Sequence, residues 1–474
     1  MNLVWQKFTL SNFPIQEYLA TSYLHRYAAG LLRSWRQSSV LMQWGDPIAA
    51  VLLSLVYGLA PFVSTTLMGL LLAACVAFWL LLTLSDETTP RTSLVTPIHL
   101  LVLLYWGIAV VATALSPVKK AALNDLGTLT LYLLLFALCA RVLRSPRLRS
   151  WIIAIYLHAS LITSVYGLRQ WFFGATALAT WVDPESPLSK TTRVYSYLGN
   201  PNLLAGYLLP AVVFSLVAIF AWQGWSKKAL ALTMFIVNTS CLILTFSRGG
   251  WIGLLAAILI VMALLIYWWS VQMPPFWRTW SLPIIFGGLI GALLLAVIFV
   301  EPVRLRVVSI FADRRDSSNN FRRHVWDAVF EMIRDRPIIG IGPGHNSFNK
   351  VYPLYQHPRY TALSAYSVLL EVTVETGFIG LGCFLWLIIV SLNAGYLQLR
   401  RLRESTNVQG FWLIGAIASM VGMLAHGAVD TVWFRPEVNS LWWLMVALIA
   451  SYWLPLTQDR TPEINSPNQE PAAN

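Results

Sequence analysis

Between two long apolar blocks, the stretch from Glu301 to Leu363 carries Arg304, Arg306, Arg314, Arg315, Arg322, Arg323, Arg334, Arg336, Lys350 and Arg359, with His324, His345 and His357 among them. Guanidinium groups in such numbers suit phosphate or diphosphate, which they grip through forked, charge-assisted hydrogen bonds. Arg193 lies ahead of Asn200-Pro201-Asn202. There, asparagine at the cap and proline in the first turn open a helix whose N-terminus attracts anions. Arg248 sits in Ser247-Arg248-Gly249-Gly250, a connection so short that the charge must lie near a membrane boundary, where an ionisable group points to function. Arg193, Asn200, Arg248 and Arg322 are therefore the candidate anion-binding residues.

A second set supports them. Ser364, Ser367, Glu371 and Glu375 are spaced three, four and four apart, which predicts one polar stripe on a helix over 361–375. Its carboxylates could do acid–base work, face a wet cleft or pair with arginines. His426 and Asp430, four apart, share a helical face, where Asp430 either orients His426 or meets an arginine. Ser317-Ser318-Asn319-Asn320 reads as a helix start, with Val325, Val329, Met332 and Ile333 on its apolar face and an end before Pro337. Gly340-Ile341-Gly342-Pro343-Gly344 is a turn without the Gly-Lys-Ser/Thr ending of a nucleotide loop. No zinc or nucleic-acid motif stands out, so neither a metal, a cofactor nor a nucleic acid is expected.

What must position these residues is a membrane bundle. Of 474 residues, 57% are hydrophobic and 11% charged, and the mean hydropathy is +0.63, more apolar surface than a soluble chain of this length can hide. The net charge of +12 then reflects topology more than nucleic acid. Runs near the ~20 residues a span needs fall at 46–63, 66–84, 97–116, 124–144, 150–172, 201–222, 228–247, 250–269 and 280–300, then at 378–398, 409–429 and 437–455. The expected fold is an all-α polytopic membrane protein of about twelve transmembrane helices. A large, partly helical outer loop over 301–377 separates nine spans (46–300) from three (378–455).

Residues 1–45 form a cytoplasmic segment, without a cleavable signal peptide, in which Leu24, Tyr27, Ala28, Leu31 and Trp35 recur at helical spacing beside Arg26, Arg33 and Arg36. Residues 456–474 read as a disordered cytoplasmic tail. Arg141, Arg144, Arg147, Arg149, Lys227, Lys228, Arg278, Arg400, Arg401 and Arg403 place both termini in the cytoplasm and the basic loop outside a plasma membrane. Cys75, Cys139, Cys241 and Cys383 sit singly in apolar runs, as small hydrophobes.

Taken in order, these stretches resemble the O-antigen ligase and polymerase superfamily. The resemblance runs over about 190–435 through Asn200-Pro201-Asn202, Thr245-Phe246-Ser247-Arg248-Gly249-Gly250-Trp251, Arg322 to Trp326, Pro337 to Gly344, Glu375-Thr376-Gly377, and His426 with Asp430. Within it, the cyanobacterial IctB type, named for bicarbonate transport, is similar at Arg193 to Asn202, Asp316 to Arg322, Val351 to Gln356, Thr361 to Val368 and Ser22 to Arg26. The ligase resemblance implies arginines on the diphosphate of a polyprenyl-linked glycan and an outer-loop histidine in a His-x-His-Asn-like motif. Here the corresponding positions are Ser364, Ala365, Tyr366 and Ser367, so the imidazole is missing, and His345 and His324 are the candidate catalytic groups to supply it. Three readings follow: glycan binding with transfer to an acceptor, transport of bicarbonate or another small anion, and a scaffold that binds lipid-linked glycan without chemistry. The partners implied are a lipid-linked glycan or small anion, and membrane lipids.

Overall fold

The computed structural model describes residues 3–15, 18, 31–86, 95–175, 193–301, 303–304, 307 and 317–454. Every one of the twelve expected spans coincides with a helix. The first nine are α1 (Gly45–Leu59), α2 (Thr65–Ser85), α3 (Pro97–Ala114), α4 (Lys119–Val142), α5 (Pro146–Phe173), α6 (Pro201–Ala221), α7 (Trp225–Leu244), α8 (Arg248–Trp269) and α9 (Pro275–Phe299). The basic segment adds α10 (Ser317–Asp335) and the short α11 (His345–Val351). The last three are α12 (Val368–Glu404), α13 (Gly410–Gly427) and α14 (Pro436–Ser451). Nine of the described helices are long and apolar enough to cross a membrane. Of the amphipathic N-terminal segment, Leu24, Tyr27, Ala28 and Arg26 lie outside the described residues, as do Ser22 to Arg26 and the 456–474 tail. Trp35 and Arg36 lie on the helix Arg33–Ser38.

The bundle is built around α6 and α13. Nearly every side chain of both is buried, as expected of helices that are apolar on all sides. Their neighbours approach closely because glycines face the contacts: a Cβ on Gly253 of α8 would lie 2.7 Å from the carbonyl oxygen of Gly422 on α13. Arg141, Arg149 and Arg403 gather at one end. There Arg141 pairs with Asp86 at 2.7 Å, Arg149 Nη1 donates to Gln409 at 3.0 Å and Arg403 Nη2 to Ser270 at 2.7 Å. The basic segment docks at the other end.

That docking follows from a helix break. Gly377 (φ 68°) interrupts α12, so the expected loop helix and the tenth span form one long helix with a kink. A break deprives the preceding carbonyls of their partners four residues on. The glycine turn supplies replacements: Ile341 N–H donates to Val374 O at 2.9 Å and Gly342 N–H to Glu375 O at 3.0 Å, while Pro337 O accepts the Phe378 N–H freed by the break at 2.8 Å. Gly340, Gly342 and Gly344 all have positive φ, and a Cβ on Gly340 would lie 2.5 Å from Val374 O. α10 ends ahead of Pro337 and buries Val325, Ala328, Val329, Met332 and Ile333 against Phe348, Tyr352 and Val374, the face its spacing predicts.

One helix boundary differs from expectation. α12 starts at Val368, with Ser367 as its cap in extended conformation. Tyr366 has φ 50°, a conformation that stops a helix from extending back to Thr361. Ser364 therefore lies in the loop before the helix, and the polar stripe begins at the Ser367 cap.

Candidate functional site

Four chain segments meet at the loop end of the bundle. Asn200 caps α6, its Oδ1 accepting from the N–H groups of Asn202 (2.8 Å) and Leu203 (3.2 Å). Ahead of it, Arg193 donates through Nε to Thr245 O at 2.9 Å and through Nη2 to Asn202 Oδ1 at 2.8 Å. This ties the loop before α6 to the turn that ends α7. Asn202 Nδ2 then donates to Asp430 Oδ2 at 2.8 Å, and Arg322 Nη2 of α10 approaches the same oxygen at 3.4 Å. Asp430 Oδ1 accepts the N–H of Thr431 at 2.9 Å. The chain Thr245–Arg193–Asn202–Asp430–Arg322 thus joins three connections and a loop helix that are far apart in sequence.

Arg248 is the first residue of α8, and its side chain is buried. Ser247 caps the helix, its Oγ accepting from Gly250 N–H at 3.2 Å. Phe246 immediately before has φ 49°, strained backbone that turns the chain sharply into α8. Arg193 senses its neighbours. Burial pushes its pKa down to about 10; Asp430 opposes that shift, and Arg248 and Arg322 add to it. Three guanidinium groups share the field of one carboxylate, an excess of positive charge that a diphosphate could neutralise.

His426 lies behind the cluster. A Cβ on Gly249 would fall 2.7 Å from its Cδ2, Gly206 lies against the same ring, and Gly253 against the His426 Cβ. Its Nε2 is buried without a hydrogen-bond partner among the described residues. Asp430, just beyond the end of α13, therefore meets Arg322, and its N–H returns to His426 O at 3.1 Å.

The loop histidines stand elsewhere. His345 is held at both nitrogens, with Nδ1 donating to Leu363 O at 2.7 Å and Nε2 accepting from Asn349 Nδ2 at 2.8 Å, and it stacks on Phe434. His324 follows Arg322 by two residues on α10, roughly 200° around a helix, and packs against Tyr360 and His357. Neither is arranged with the arginines. Ser364 and Ser367 are buried. Glu371 Oε2 accepts the Ala365 N–H at 2.7 Å, which folds the pre-helix loop over the start of α12.

Glu371 and Glu375 line a cavity of about 170 Å³ with Asp125, His345, Tyr132, Trp433 and Trp442. Asp125 is the acidic residue that spacing alone does not reveal. It sits alone in the apolar run of α4 and caps α11 from across the cleft: Asn346 Nδ2 reaches its Oδ1 at 2.6 Å, and Ser347 N–H its Oδ2 at 3.0 Å.

Tyr366 stands at one of the positions where the ligase resemblance expects a histidine. Its phenol is pushed up to about 12, chiefly by burial, with Asp430 raising and Arg322 lowering it, which places it beside that ion pair. It is protonated at neutral pH and so a hydrogen-bond donor.

Residues 229–385 match the O-antigen ligase family model. No curated protein matches the chain. The matched stretch runs from within α7 to the middle of α12. It contains Arg248, Arg322, the glycine turn, Ser364 to Ser367, Glu371 and Glu375; Arg193, Asn202, His426 and Asp430 fall on either side. The chain is a multi-pass helical membrane protein with an O-antigen-ligase-like segment. The break at Gly377 and the glycine turn, separate as sequence motifs, are two halves of one contact within that segment.

Proposed function

We propose that the arginine cluster binds the diphosphate of a polyprenyl-diphosphate-linked glycan at the outer, periplasmic face of the plasma membrane, as in the O-antigen ligases and polymerases this chain resembles. The observation that carries the reading is the network through Arg193, Asn202, Asp430 and Arg322 beside Arg248. Forked donors suit the several oxygens of a diphosphate better than a single small anion. Arg248 and the capped α6 terminus lie near the membrane boundary, the depth at which a lipid diphosphate sits. Transfer of the glycan to an acceptor would need a base to take the acceptor proton.

That second half is where a scaffold reading gains support. Ser364 and Tyr366 occupy the positions of the ligase motif's histidines. A serine hydroxyl is no base near neutral pH, and a phenol with a pKa of about 12 keeps its proton and offers an anion only a hydrogen bond. His345 is occupied at both nitrogens. Binding without turnover is therefore the second reading. Bicarbonate transport, the name attached to the IctB type, is the third.

One reconstitution separates them. The purified chain in nanodiscs is titrated with polyprenyl diphosphate, polyprenyl monophosphate and bicarbonate, and in liposomes it is tested for bicarbonate flux and for glycan transfer. Diphosphate is expected to bind at least about tenfold more tightly than monophosphate, with Arg248→Ala and Arg322→Ala each costing about 2–3 kcal/mol of affinity, the range for charge-assisted hydrogen bonds. Diphosphate binding no tighter than monophosphate, or bicarbonate flux abolished by Arg248→Ala with no glycan-lipid binding, would sink the proposal.

A further inference from the structure

α10 carries His324 and Asp327 at positions three apart, on one face of the helix. The chain then returns past the turn at Tyr352–Leu354 and sets His357 beside them. Each of the three side chains brings one potential ligand atom to within 4.8 Å of the others. The two imidazoles meet edge to face, with centroids 5.1 Å apart. His324 also packs on Tyr360 at 4.2 Å, and its Nδ1 is buried with no hydrogen-bond partner among the described residues. A buried polar atom without a partner is uncommon in a native fold and calls for an explanation. Asp327 and His357 are exposed, so an ion can approach from solvent.

We propose that His324, Asp327 and His357 form a binding site for a late first-row divalent cation, zinc above all. Two imidazoles and one carboxylate are the donor set that zinc takes in sites with three protein ligands, whereas magnesium and calcium prefer oxygen alone. Ligands about 2 Å from a tetrahedral ion lie about 3.3 Å apart. Closing the site therefore takes shifts on the order of 1 Å, which the exposed side chains of Asp327 and His357 can supply by small rotations. No spacing motif announces the site, because His357 comes thirty residues after Asp327 and only the fold joins them.

The ion would fasten the 352–360 segment to α10. That contact already rests on Asn320 Nδ2 donating to the Tyr360 hydroxyl at 3.2 Å and the Tyr355 hydroxyl donating to Asp335 Oδ2 at 2.7 Å. His324 and Arg322 lie on opposite sides of α10, so the site is distinct from the arginine cluster, although the same helix carries both.

The full chain, purified without a polyhistidine tag and stripped with chelator, is titrated with zinc chloride. Metal content is then measured by mass spectrometry, and cobalt(II) absorption reports coordination. Wild type is expected to take up one zinc per chain, unaffected by excess magnesium, and to show the cobalt bands of nitrogen and oxygen ligation. Asp327→Asn is expected to lose at least about tenfold in affinity, and His357→Ala to lose both zinc and cobalt signals. The zinc-free melting temperature controls for folding: His357 is exposed, so His357→Ala should match wild type without metal and fail to gain stability when zinc is added. Zinc retained at one per chain by His357→Ala, or wild type with no stoichiometric uptake, overturns the proposal.

Discussion

Arg193 is held where an anion would profit from it. Its guanidinium reaches Thr245 O and Asn202 Oδ1, and its pKa is lowered to about 10 by burial and then by two like-charged neighbours against one carboxylate. The sign of the consequence follows. The proton is on below about pH 10 and leaves above it, so diphosphate affinity is expected to be flat from neutral pH upward and to fall once pH exceeds about 10. Because the folded pKa lies below the ordinary value, the folded chain holds the Arg193 proton less tightly than the unfolded chain does. This residue therefore contributes a stability that rises with pH between about 10 and 12.5. Titration calorimetry across that range checks the binding limb, and affinity that instead climbs above pH 10 would contradict it.

Asp125 makes a different kind of prediction. Removing its carboxylate leaves the buried Ser347 N–H without its partner, at about 1–3 kcal/mol for a buried unsatisfied donor, while the exposed Asn346 amide can turn to water. Asp125→Ala should therefore lower the melting temperature in detergent and loosen α11, read as faster amide exchange at Ser347. Arg193 and Arg248 stood out in the sequence because an arginine beside a helix cap or at a membrane edge is costly wherever it sits, and Arg322 because it belongs to a dense run of arginines. Asp125 was not, since one carboxylate in an apolar run carries no spacing, and its partners come more than two hundred residues later.

At the scale of elements, the site depends on a helix that stops and restarts. α12 breaks at Gly377, and the glycine turn covers the two carbonyls so exposed. Gly377→Ala would place a Cβ against Ile338 O, in a backbone region that only glycine adopts freely. The variant is expected to lose a few kcal/mol, since strain and a steric clash add to the lost docking bonds. Limited proteolysis should then cut between Ile338 and Gly344, where wild type resists; an unchanged pattern would mean that the turn docks by other contacts. Periodicity predicted α10 and its apolar face because one helix face is a local property. It extended the next helix back to Thr361 because the positive φ of Tyr366 leaves no mark on hydrophobic spacing. The spans were legible for the simplest reason: a run of about twenty apolar residues has few other folds open to it.

The whole molecule is polarised. Arg141, Arg149 and Arg403 are tied down at one end by Asp86, Gln409 and Ser270, while Arg248 and Arg322 lie close enough to Arg193 to lower its pKa at the opposite end. The proposed function requires the second end to lie outside, where a finished lipid-linked glycan is met. Cysteine labelling tests this directly, because Cys75, Cys139, Cys241 and Cys383 are all buried and give little background. Leu354, 80% exposed beyond α11, and Ser405, exposed after α12, report on the two ends. In intact cells a membrane-impermeant maleimide is expected to label Leu354→Cys and to spare Ser405→Cys until the membrane is opened. The reverse pattern would turn the arginine cluster toward the cytoplasm, and recognition of a glycan donor at the outer face would fail with it. It would also place the extramembrane His324–Asp327–His357 cluster in a compartment where free zinc is scarce, so this one experiment constrains the ligand chemistry of both sites.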